Sequence, residues 1–103
     1  MFIINKEEWG VKLVSPHHPK LIRSDGTSSI GSCDDNTKII YINENLEPFL
    51  MKKVLCHEIT HAAMFSYNVE LSIDQEELLA NLIATYGQEI IAITNKIFKR
   101  IIE

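Results

Sequence analysis

The sequence predicts an α+β domain: a small N-terminal sheet of about three strands, packed on a buried helix and a long C-terminal helix. Three observations carry this. Residues 9–43 hold short runs rich in β-branched and aromatic residues, separated by turn chemistry. From Glu47 onward that punctuation gives way to helical periodicity. The chain has 103 residues, 46 % hydrophobic and 23 % charged, the size and balance of one globular domain spanning residues 1–103.

The first strand runs from Trp9 to Val14, where polar and apolar residues alternate. Pro16-His17-His18-Pro19 breaks it, because each proline restricts its own φ and the residue before it. Lys20-Leu21-Ile22-Arg23 reads as a short strand, and Ser24-Asp25-Gly26-Thr27 as a turn. Cys33-Asp34-Asp35-Asn36-Thr37 reads as a second polar turn. Lys38 to Asn43 is the strongest strand signal, dense in isoleucine and tyrosine.

The first helix opens at Glu47-Pro48, with proline suited to the first helical position, and runs to about Phe65. After Lys53 it is apolar on most sides (Val54, Leu55, Ile59, Ala62, Ala63, Met64), as in a buried helix. Ser72 opens the second helix, with Gln75 completing a capping box. Apolar residues then recur at helical spacing from Leu79 through Tyr86 to Ile101, with no proline up to Glu103 and a possible kink at Gly87.

Composition excludes several functions. Net charge is −4, and the 10 Lys and Arg residues are too scattered for a nucleic-acid footprint. No apolar run approaches the ~18–20 residues of a membrane span. Met1-Phe2-Ile3-Ile4 lacks the basic flank and long apolar segment of a signal peptide. Cys33 and Cys56 read as buried free thiols of a cytoplasmic protein, not as a disulfide framework.

The buried helix carries His57-Glu58-Ile59-Thr60-His61. Histidines four apart fall on one helical face, so both imidazoles reach one metal ion. Glu58 lies beside them, placed to take a proton from a water. This is the HExxH pattern of zinc hydrolases, chiefly metallopeptidases. Shuffling this composition produces the pattern with a chance of about one or two in a hundred, so context decides. A mostly apolar helix that buries two histidines and a carboxylate without a partner would lose several kcal/mol, which a metal removes. A hydrogen-bonded pair of core histidines is the competing account.

No histidine follows His61, so a carboxylate must complete the site: Glu70, Asp74, Glu76, Glu77 or Glu89. Glu77 is preferred. It lies in the first turns of the second helix, with Asn81 four residues on, where an amide can orient a ligand histidine. Ala80 and Ala84 suit close helix packing. Glu76, rotated by about 100°, is the runner-up.

His57-Glu58-Ile59-Thr60-His61 followed by Glu77-Leu78-Leu79-Ala80-Asn81-Leu82-Ile83-Ala84 resembles the ImmA/IrrE metallopeptidases of phages and mobile elements. The resemblance covers roughly residues 30 to 90. It implies a minimal zincin-like domain, zinc ligands His57, His61 and Glu77, and Glu58 as catalytic base. It also implies cleavage of a cytoplasmic repressor or regulator protein. Thr85-Tyr86-Gly87-Gln88 replaces the family's usual continuation. The length leaves no room for the extra helices or DNA-binding domain that members often carry.

The expected function is therefore zinc-dependent peptide hydrolysis on a protein or peptide substrate, with neither nucleic acid nor membrane as partner. Two alternatives stand beside it: a zinc-stabilised interaction protein of the same fold without proteolytic activity, and a different zinc hydrolase. Retention of Glu58 argues against the first, since a structural site needs no base. Lys38 to Asn43 is read either as an edge strand pairing with an extended peptide or as a core strand. Tyr67 is the best candidate for an oxyanion donor. Tyr86 and Trp9 are assigned to the core and His17 and His18 to the surface. The isoleucine-rich last helix packs either on its own sheet or on a second copy.

Overall fold

The computed structural model describes all 103 residues. The fold is α+β: a four-stranded mixed sheet, one helix lying across it, and a long, nearly continuous second helical run. The strands are β1 (Phe2–Ile4), β2 (Glu7–Val14), β3 (Gly31–Asp34) and β4 (Ile39–Asn43), in spatial order β1-β2-β4-β3. β2 and β4 run parallel, and the two outer pairs are antiparallel. The helices are α1 (Pro48–Ser66), α2 (Ile73–Leu82) and α3 (Gln88–Ile102). None is long and apolar enough to cross a membrane.

Two strands were not expected. β1 joins β2 through Asn5 and Lys6, whose φ values of 48° and 66° give the hairpin the left-handed turn that suits strand twist. β3 is built from Gly-Ser-Cys-Asp, poor strand formers that become a strand by pairing with β4. The predicted strand at Lys20–Arg23 is instead a single 3-10 turn, Pro19–Leu21. His18 caps it by accepting the Lys20 N–H at Nδ1. Proline at the first position favours that turn over an extended path.

β4 lies inside the sheet, between β2 and β3, so the strand from Lys38 to Asn43 is a core strand and not an edge. Its alternation explains the placement. Ile40 and Ile42 enter one core with Trp9, Val54 and Ala62, beneath α1. Tyr41, on the opposite face, stacks on His18 at 5.3 Å between ring centroids.

α1 begins as its sequence predicts, with Glu47 as cap and Pro48 in the first turn. Its far end is pinned to the hairpin at Ser66. Asn5 Nδ2 donates to the Ser66 carbonyl and the buried Trp9 indole donates to Ser66 Oγ, both at 2.8 Å. α2 starts at Ser72 with the expected capping box to Gln75. Ala80 is fully buried. Between α2 and α3 the chain widens into one π turn, Ile83–Gly87, and then continues as helix. Tyr86 in that turn is 53 % exposed, so it is not a core residue.

Candidate metal centre

His57 and His61 lie one turn apart on α1 and present their Nε2 atoms to the same point, 3.1 Å apart. Glu77 reaches that point from α2, its two oxygens 3.2 Å from His57 Nε2 and 3.0 Å from His61 Nε2. The three side chains each offer one ligand atom, and all these atoms lie within 4.8 Å of one another. Ligand atoms bound at about 2.0–2.1 Å around a tetrahedral centre sit roughly 3.3 Å apart, so the observed spacings fit one small cation.

Protonation makes the same point. His61 Nδ1 lies 2.6 Å from Glu76 Oε1, so that nitrogen carries the proton and donates it to the carboxylate. In the neutral ring Nε2 is then a bare lone pair. It faces Glu77 Oε1 and the second imidazole, an arrangement of acceptors that a cation relieves. Glu58, Glu76 and Glu77 also bring three carboxylates to two imidazoles, and a divalent ion offsets that charge.

Glu58 is buried, and its Oε2 has no hydrogen-bond partner. Burial pushes its carboxyl up to about 7; His61 opposes the rise and the Glu77 charge adds to it. A dry carboxylate oxygen without a partner is costly, and such groups mark places where chemistry occurs.

The site opens into a cleft of about 460 Å³. Gly31, Val54, His57, Glu58, Glu77 and Asn81 form its inner wall, with Arg23 and Lys53 also contributing. Gly31 matters here because α1 crosses β3 so closely. A Cβ at that position would lie 2.6 Å from Val54 Cγ1 and 3.2 Å from Glu58 Cγ. Cys33, two residues on, is a free thiol pushed up to about 12 by burial and then by nearby carboxylates, Glu58 foremost.

The structure brings together His57, Glu58, His61 and Glu77. Glu76 is not a rival to Glu77 but its complement: the two neighbours straddle His61, one at each ring nitrogen. Asn81, expected to orient a histidine, makes no hydrogen bond to either ring and lines the cleft instead. The 100° between successive helical residues places Glu76, and not the amide one turn on, beside Nδ1. Tyr67 closes α1 about 9 Å beyond His61 and does not line the cleft, nor do His17 and His18. Sequence reading missed Gly31, Arg23 and Lys53 as cleft residues. A glycine between Ile30 and Ser32, just before an acidic turn, was the one available sign.

A family model described as the IrrE N-terminal-like domain, Peptidase_M78, matches residues 8–94. No curated protein and no solved structure matches the chain. The matched span takes in β2 to β4, both helices of the cleft and the first half of α3. A helix-borne His-x-x-x-His pair, a downstream glutamate and a family match over most of the sequence agree with one another, and the chain belongs to the ImmA/IrrE (IrrE N-terminal-like) family of metallopeptidase-like domains.

Proposed function

We propose that this protein is a zinc-dependent endopeptidase acting on an extended segment of a cytoplasmic protein, of the repressor or regulator class that such families act on in phages and mobile elements. The observation that carries this reading is the buried, unpartnered Glu58 Oε2 beside the His57–His61–Glu77 cluster. A purely structural cation site has no use for it. The two nitrogens and one carboxylate suit zinc and leave one coordination position free, as hydrolytic sites do.

When bound, zinc supplies Lewis acidity, polarising a carbonyl and making a nearby water more acidic. The residues of the chain do the rest. Glu58, which lines the cleft beside the cation site, takes a proton from a cleft water. It then hands that proton to the leaving amine. Glu76 keeps His61 in one tautomer through Nδ1, so its Nε2 stays a ligand.

β3 offers the peptide a track. The Asn43 N–H donates to the Ile30 carbonyl, so by antiparallel alternation Gly31 and Cys33 turn their backbone groups away from β4, the Gly31 carbonyl already accepting from Ser29 Oγ at 2.8 Å. That outer edge of β3 borders the cleft at Gly31, where a substrate strand pairs beside the cation site.

Glu58→Gln tests this reading. Cleavage of a protein or peptide substrate should fall by about 10²–10⁴-fold while zinc stays near one per chain by metal analysis. A biological effect that survives the substitution would favour a zinc-stabilised interaction protein.

A further inference from the structure

We propose that α3 pairs antiparallel with α3 of a second copy, making the protein a homodimer through its C-terminal helix. This inference does not depend on the peptidase reading. No residue of α3 is buried, and its only substantial packing is against the π turn it grows from. Yet Ile90, Ile93, Ile97, Phe98, Ile101 and Ile102 are each at least half exposed. At 100° per residue they fall within one half of the helix surface. A face this wide on a polar-backed helix is the pattern of a helix that packs against something.

The size of the unpartnered surface points to a full interface. A compact monomer of 11.8 kDa exposes about 5,900 Å², and this chain exposes 7412 Å². Its radius of gyration is 15.3 Å, against about 13 Å for a compact chain of this length. The excess of about 1,500 Å² exceeds the roughly 800 Å² each partner contributes to a standard stable interface. The family match ends at residue 94, so the outer half of this face lies beyond what the family model describes.

Charge selects the second copy and its direction. Glu89, Lys96 and Arg100 fall within about 40° of one another, on one flank of the apolar face. None forms an ion pair within the chain, whose bridges all lie in the sheet, its loops and the metal centre. In an antiparallel pair with its axis near Thr94–Asn95, that flank meets itself reversed, so each Glu89 faces the partner's Arg100 position. The helix dipoles also oppose one another favourably. Thr94, near the axis, already satisfies its hydroxyl through the Ile90 carbonyl at 2.8 Å, so it can be covered without loss.

Sedimentation of the full chain tests this. The unaltered protein should run at twice its chain mass at micromolar concentrations, and Ile97→Asp should run as a single chain. Glu89→Arg should weaken dimerisation at least tenfold, as should Arg100→Glu, and the double variant E89R/R100E should restore it. The charge variants sit on an exposed surface, and Trp9 fluorescence confirms that each variant is folded. A wild-type chain that stays monomeric overturns the proposal, whether its apolar face then takes up lipid vesicles or a different protein. A dimer indifferent to Ile97→Asp, or to Glu89→Arg, overturns it as well, since parallel pairing sets Glu89 against neutral positions.

Discussion

Among the buried residues of α1 are Glu58, Thr60, His61 and Ser66, whereas α3 buries nothing although much of its surface is isoleucine. The two helices therefore depart from the usual partition in opposite directions. In α1 nearly every dry polar group is answered. Thr60 donates to the Cys56 carbonyl, Ser66 accepts from Trp9, and His61 donates to Glu76. Only Glu58 Oε2 is left over. In α3 the apolar groups are left over instead. A buried polar group left without a partner constrains what can stand beside it narrowly. A wet apolar face specifies only area and charge pattern. The half that holds the candidate metal centre is thus the more constrained, and substitutions there should cost more.

The largest expected effect is on the metal-free protein's pH response. Folding raises the Glu58 pKa from its ordinary 4.5 to about 7, so the native state holds a proton that the unfolded chain has released. Between those values stability falls as pH rises, by a few kcal/mol at about 1.4 per unit, and the loss is complete above about 7. Chelator-treated protein unfolded by urea at pH 5 and pH 8 should show this slope, and Glu58→Gln should flatten it. A wild-type slope of the opposite sign would sink the assignment. Next comes Glu76→Gln, which should weaken binding of added zinc about 10–100-fold in a chelator competition if the cluster is a metal site, through the orientation of His61. Unchanged affinity would mean that Glu76 holds nothing in place.

Gly31→Ala should destabilise the fold by about 1–3 kcal/mol, because Val54 and Glu58 occupy the space a methyl needs. That corresponds to a melting shift of roughly 4–24 °C in a domain of this size. The smallest effect belongs to α3, the exposed C-terminal arm. Ile97→Ser, measured in dilute protein below the dimerisation range, should change unfolding free energy by no more than about 0.5 kcal/mol. A larger loss would show that α3 rests on its own domain.

What the sequence disclosed was local chemistry. The His57–His61 spacing, Pro48 in the first turn of α1 and the Ser72–Gln75 box need only neighbours along the chain, and all stand where they were read. β1 and β3 escaped notice because Asn5-Lys6 is a weak turn signal and Gly31-Ser32-Cys33-Asp34 has little strand preference; partners made them strands. The choice between edge and core for β4 depended on β3, so it went unresolved with it. Glu77 stands beside both imidazoles, as preferred over Glu76, but the contact of Glu76 with His61 Nδ1 depended on the angle at which α2 approaches α1. The exposure of Tyr86 likewise follows from where the helical run leaves the domain.

The π turn at Ile83–Gly87 amounts to one residue more than an α-helix needs there. It comes after Glu76 and Glu77 and before every isoleucine of the arm. Excising a single residue from it would let the ladder close in the ordinary way, leave both glutamates in place, and swing everything downstream by about 100°. The azimuth of the arm relative to the cleft is thus encoded by one insertion, independently of the ligand spacing upstream.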